Sequence, residues 1–289
     1  MTIASITDQA LTARLVGPRP SLDRRIVIAT TEIVDIDLAG AVAAGRYVVP
    51  ARRACLIPRT PMRAAGRPDA AAVSELLFGE GFDLFDCVDG WGFGRSVHDR
   101  YTGWVVLSAL GDALAGDVHR VTARLAPVFS ATDIKALVIA ELPFGARVSG
   151  TVEGSFVAVA GGGFVHVRHL APHGGSLLAI ARIFTGAPYL WGGRTPLGVD
   201  CSGLVQAALT ACSMTAPRDS DQQRDGLGTA VDFADRRSGD LVFFPGHVGI
   251  LVDAATLLHA NAFWMAVVEE PLVDVVARGA AVLAVRRMG

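Results

Sequence analysis

The sequence predicts a multidomain protein, two small all-β barrels in tandem followed by one α+β domain. A block of motifs occurs twice before residue 172. Between its copies the chain is short apolar runs broken by Gly, Pro and Asp, as in small barrels. After Pro172 helical periods come first and strands follow, an α+β order. The chain has 289 residues, more than one average domain needs. With 51% hydrophobic and 19% charged residues it can bury cores and is not a disordered chain.

Residues 1–46 precede the first barrel and are unassigned, although Arg24-Arg25-Ile26-Val27-Ile28 could add a strand. The first barrel is expected over 47–110, with Arg46-Tyr47-Val48-Val49 and Phe82-Asp83-Leu84-Phe85 as strands. The second is expected over 118–171, with Phe156-Val157-Ala158-Val159 as one of its strands. An internal repeat is visible. Glu75-Leu76-Leu77-Phe78-Gly79 matches Glu141-Leu142-Pro143-Phe144-Gly145. Asp89-Gly90-Trp91-Gly92-Phe93 parallels Glu153-Gly154-Ser155-Phe156-Val157. Gly103-Trp104-Val105-Val106-Leu107 parallels Gly163-Phe164-Val165-His166-Val167. Two copies cannot make a solenoid, so tandem domains follow. Each copy resembles the bacterial SH3-like (SH3b) barrel. Only the first carries the segment His98-Asp99-Arg100-Tyr101-Thr102.

Residues 173–289 form the last domain. Leu177 to Phe184 and Cys201 to Cys212 have helical periods, the second with Leu204, Val205, Ala208 and Leu209 as its buried stripe. Strands are expected over Asp240 to Phe244, His247 to Val252 and Ala266 to Glu270, with a last one ending near Val285.

Two blocks carry chemistry. The first is Pro188-Tyr189-Leu190-Trp191-Gly192-Gly193 followed by Asp200-Cys201-Ser202-Gly203. A cysteine at a helix start meets unpaired N–H groups and a partial positive charge, which favour thiolate. Asp200 falls at the N-cap; its charge opposes thiolate formation, which suggests an additional job for it. The second block is Gly239-Asp240-Leu241-Val242-Phe243-Phe244-Pro245-Gly246-His247-Val248-Gly249-Ile250, then Leu257-Leu258-His259-Ala260. Nucleophile, base and orienter are the minimum for a cysteine peptidase. Cys201 and His247 take the first two roles. For the third, His259 and Asn261 share strand parity, and only geometry chooses between them.

These blocks resemble the NlpC/P60 family of papain-like cysteine peptidases over about residues 173–289. With SH3b-like barrels in front, the chain is similar to the γ-D-glutamyl-L-diamino acid endopeptidases of murein recycling. The resemblance implies catalytic Cys201, His247 and His259, and a substrate with a free L-Ala N-terminus, then γ-D-Glu, then a diamino acid. It implies that Asp200 pairs with the substrate ammonium and that Tyr189, Trp191, Ser202 and Ser220 line the pocket. Tyr101 of the first barrel would wall off its end, with Glu75 as a candidate second carboxylate.

Net charge is −2 with no long basic run, which weighs against nucleic acid or an anionic membrane as partner. No stretch reads as an export signal or a bilayer span, so a cytoplasmic location is expected. Cys55, Cys87, Cys201 and Cys212 fit no metal spacing, and no metal or cofactor is expected. Cys55, Cys87 and Cys212 read as small buried hydrophobes. His98, His119, His166, His169 and His173 read as surface or barrel residues. Competing readings are a secreted hydrolase of intact wall, a wall-binding protein with a decayed site, and another papain-like chemistry. The diamino acid preferred and the oligomeric state are not encoded in any motif.

Overall fold

A computed structural model describes residues 21–170, 175–279 and 281–289. His173 and residues 1–20 lie outside the described residues.

The first barrel comprises β1 (Ala51–Cys55), β2 (Arg59–Arg63), β3 (Ala72–Leu77), β4 (Gly81–Val88), β5 (Trp91–Ser96), β6 (Thr102–Val106) and β7 (Leu110–Gly111). Their order in the sheet is β3-β2-β6-β5-β4-β1-β7. The second comprises β8 (Asp117–Arg120), β9 (Leu125–Phe129), β10 (Val138–Pro143), β11 (Arg147–Glu153), β12 (Phe156–Val159) and β13 (Phe164–His166). Its order, β10-β9-β13-β12-β11-β8, repeats that of the first six strands of the first barrel, whose β7 has no counterpart here. The paired Asp-Gly and Glu-Gly motifs lie at equivalent hairpins. Asp89 and Gly90 both adopt positive φ between Val88 and Trp91, the turn that matches strand twist.

Three expectations need correction. Tyr47–Val48 is not a barrel strand; it pairs in parallel with Val34–Asp35 outside the barrel sheet. Arg24 to Ile26 form a turn, and Ile28 packs with Ile33 and Phe85 on the outside of the first barrel. Apolar residues in that segment are therefore core for a strap, which their composition cannot distinguish from a strand. Cys87 is exposed, because it sits at the end of β4 where the hairpin leaves the barrel body.

In the C-terminal domain α1 (Leu177–Ala181), α2 (Cys201–Ala211) and α3 (Ser220–Gly226) precede most of the sheet. Strands β14 (Thr229–Val231), β15 (Leu241–Phe244), β16 (His247–Leu251), β17 (Thr256–Asn261), β18 (Ala266–Pro271) and β19 (Ala284–Arg287) form an antiparallel sheet. The order is β14-β19-β15-β16-β17-β18, with α4 (Leu272–Ala277) after β18. Leu204, Val205, Ala208 and Leu209 of α2 pack on Leu241, Phe243, Val248, Ile250, Leu258 and Ala260. The alternate residues Val242, Phe244, Leu251 and Leu257 build a second core with Leu272 and Val275 of α4. Burying both faces explains why β15 reads as an unbroken apolar run. Among the described residues no helix is long and apolar enough to cross a membrane.

The first barrel is fastened to α2 and α3. Buried Arg194 donates to both oxygens of Glu80 in the first barrel and to Gln206 Oε1 in α2. Gln206 in turn donates to Asp99. His98 contacts Thr210 of α2 at 3.2 Å, so this barrel histidine is a junction residue. From the strap, Arg25 reaches Asp219 at 2.8 Å and Asp221 at 2.9 Å, at the start of α3.

Candidate active site

The segment before α2 holds Cys201 in place. Gly203 lets the carbonyl of Gly193 approach the first turn of α2; a Cβ there would come within 2.2 Å of that oxygen. Gly192, at φ +81°, turns its N–H onto Asp200 Oδ2 at 2.8 Å. Asp200 caps α2 by accepting from Gly203 N–H at 2.7 Å. Cys201 thereby opens the helix, 5% exposed.

Its sulfur lies 4.0 Å from the carbonyl of Gly246, the residue before His247. His247 starts β16 directly after the Pro245-Gly246 turn, where Gly246 adopts φ +67°. His247 Nε2 meets His259 Nδ1 at 2.7 Å, and His259 Nε2 meets Glu270 Oε1 at 2.7 Å. The choice between His259 and Asn261 is thus made by contact. The ring that touches His247 is His259; Asn261 hydrogen-bonds Glu270 and the N–H of Phe263.

Burial, and then the charge of Asp200, push the Cys201 thiol up to about 11. Burial, and then the neighbouring His259, hold the His247 imidazole down at about 3. Both directions favour a neutral thiol and a neutral imidazole at rest.

Asp200 is committed. Arg218, 1% exposed, donates to Oδ1 at 2.9 Å and Oδ2 at 2.5 Å. Ser202 Oγ lies 3.3 Å from Oδ1 and also accepts from Arg218. With the N–H groups of Gly192 and Gly203, every lone-pair direction of the carboxylate is filled. Within the chain the cation paired with Asp200 is Arg218, from the Pro217-Arg218-Asp219-Ser220 motif. Glu75 is also held within the chain. Its oxygens accept from Arg59 and from the N–H of Arg194, so it stitches β3 to the catalytic domain. A buried charge left without its partner is costly. Arg218→Met should lower unfolding free energy by about 3–5 kcal/mol, measured by urea titration. Pairing it with Asp200→Asn should recover part of that loss.

Tyr189 lies close enough to Cys201 and Asp200 for their charges, after burial, to push its phenol up to about 12. Trp191 is 64% exposed on the rim. Ser202 faces Asp200 and Arg218 rather than open space. Tyr101 of the first barrel donates its hydroxyl to Asp219 Oδ2 at 3.0 Å, one residue before Ser220. Asp219 Oδ2 also holds Arg25. First barrel, strap and α3 meet at that oxygen. The residues that motif reading passed over are Arg218, Asp219, Glu270 and Arg278. Arg218 and Asp219 did stand beside the named Ser220. Among the described residues no His, Cys, Asp and Glu cluster is arranged to hold a metal.

The NlpC/P60 family model matches residues 186–274, which hold Cys201, His247, His259 and Glu270. Residues 186–274 therefore form an NlpC/P60 domain. A model of the bacterial dipeptidyl-peptidase SH3 domain matches residues 62–110, in the first barrel. The NlpC/P60 region is 37% identical over 93 residues to a γ-D-glutamyl-L-lysine dipeptidyl-peptidase of Bacillus subtilis, covering 29% of this chain and 31% of that one. It is 36% identical over 87 residues to dipeptidyl-peptidase 6 of Lysinibacillus sphaericus, covering 30% and 32%. The match thus spans about a third of the length of these curated relatives. A crystal structure of an NlpC/P60 family protein from Bacillus cereus superposes with a TM-score of 0.70 at 19% identity, covering 82% of this chain and 99% of that one. That likeness establishes the shared fold, including the β-rich domains ahead of the NlpC/P60 domain.

Proposed function

We propose that this protein is a cysteine peptidase that hydrolyses the γ-D-Glu–diamino acid bond of free murein peptides bearing an unblocked N-terminal L-Ala. The observation that carries the chemistry is Cys201 at the start of α2, set against the turn that delivers His247, with His259 behind it. Cys201 Sγ attacks the scissile carbonyl carbon while its proton passes to His247. The N–H of Cys201, in the first turn of α2, is available to the developing oxyanion. Collapse of the tetrahedral intermediate expels the diamino acid as its amine, protonated by His247. Water, deprotonated by the same imidazole, then releases the acyl group from sulfur.

The substrate class is supported by the names of the relatives and by the wall at Tyr101. Tyr101, Asp219 and Arg25 draw the first barrel against α3 beside Ser220. In this reading the wall leaves room for a small N-terminal residue and none for a longer chain. Discrimination by a closed end is steric; the committed carboxylates Asp200 and Glu75 need not supply it. The test is mass spectrometry of products from L-Ala-γ-D-Glu-diaminopimelate, its L-Lys counterpart, their N-acetylated forms and intact sacculi. Cleavage should be confined to the free peptides, with acetylation lowering kcat/KM at least tenfold. Equal rates on blocked and free peptides, or efficient release from sacculi, would overturn the proposal. A cytoplasmic site of action belongs to the same proposal, and cell fractionation checks it.

A further inference from the structure

We infer that Glu270 is a positioning residue for this reaction: its carboxylate fixes which nitrogen of His259 carries the proton, and so orients the base on His247. The inference rests on the reading of Cys201 and His247 as nucleophile and base.

Glu270 is buried at the end of β18 and is surrounded by donors. Oε1 accepts from Arg278 at 2.6 Å, from His259 at 2.7 Å and from Asn261 at 3.1 Å; Oε2 accepts from Trp264 at 3.1 Å. Burial would raise its pKa, but the hydrogen bonds from Arg278, Trp264 and His259 outweigh it and keep the group ionised. An ionised carboxylate only accepts. His259 must therefore present Nε2–H to it, and a neutral ring protonated there has a bare Nδ1. That Nδ1 lies 2.7 Å from His247 Nε2, so His247 donates and carries its proton on Nε2. The lone pair of His247 is then on Nδ1, the only nitrogen left to receive a proton from the thiol. When it does, the imidazolium is stabilised through His259 by the charge of Glu270, with no second proton moving.

The opposite arrangement is close at hand. The amide nitrogen of Asn261 is 3.2 Å from His259 Nε2 and, without Glu270, would donate to a bare Nε2. His259 would then carry its proton on Nδ1 and donate to His247, whose own proton would move to the nitrogen needed as base. Glu270 prevents this by taking the Asn261 donor itself. The Asn261 oxygen is held in turn by the N–H of Phe263 at 2.6 Å. A role confined to anchoring Arg278 and Trp264 would leave the tautomer of His259 indifferent to Glu270.

The test begins with nitrogen-15 NMR of the histidine rings in the unaltered protein, which needs no substrate. His259 should show one neutral tautomer, protonated on Nε2. In Glu270→Ala a mixture should appear, with kcat down about thirtyfold and KM within twofold. Glu270→Gln, which keeps an acceptor oxygen, should lose less. In a His259→Ala background the Glu270→Ala change should cost less than twofold. Iodoacetamide alkylation of Cys201 repeats the cycle without peptide, so a wrong substrate assignment would leave this readout intact. An Nδ1-protonated His259 in the unaltered protein, or additive losses in the cycle, would overturn the inference.

Discussion

Cys201→Ala should leave a folded protein without measurable turnover. The side chain is the only nucleophile at the start of α2, and no neighbouring hydroxyl can replace it: Ser202 Oγ is tied to Asp200 and Arg218. Removing the nucleophile of a triad costs on the order of 10⁶-fold in kcat. The scaffold around position 201 does not depend on sulfur. The cap on α2 is made by Asp200 and Gly203, and the helix is held by Leu204, Val205, Ala208 and Leu209. The melting temperature should therefore shift by only a few degrees while peptide cleavage disappears. Activity above about one per cent in Cys201→Ala would remove this residue from the mechanism.

His247→Ala should lower kcat by about 10³–10⁴-fold, and His259→Ala by about 10–10²-fold, since an unoriented imidazole still accepts a proton part of the time. The electrostatics add a sign. With His247 near 3 and the thiol near 11, no thiolate–imidazolium pair stands ready in the free enzyme. Iodoacetamide should then modify Cys201 about tenfold faster for each pH unit gained across the neutral range. A rate that is flat from pH 5 to 8 would reveal a preformed ion pair. Stability carries the matching signature. A histidine whose folded pKa is below its unfolded value of 6.5 binds its proton better in the unfolded chain. Stability should therefore fall as pH drops from about 6.5 towards 3. His247→Gln should blunt that loss, as read by urea midpoints across the range.

The placements of Cys201 at a helix start and His247 at a strand start were legible in the sequence because each is set by local chemistry. A capped helix start needs Asp200 and the small residues around Cys201 within one turn, and a strand opening after Pro245-Gly246 needs no distant partner. The tandem barrels were legible for a similar reason, since each copy carries a two-residue hairpin turn, at Asp89-Gly90 in the first and Gly154-Ser155 in the second. The tertiary structure decided what depends on pairing across the chain. Asn261 and His259 share one strand face, and only contact with His247 separates them. The pairing of Asp200 with Arg218 could not be read from either motif alone, because Arg218 enters the site from beyond α2. Tyr101 meets Asp219 across 118 positions and Arg25 reaches it across 194. Charge neutralisation in a buried site is a property of whichever groups the fold brings within about 3 Å. Motif spacing carries no record of that distance, so the place of Cys201 at a helix start could be read from the chain, and the company its neighbours keep could not.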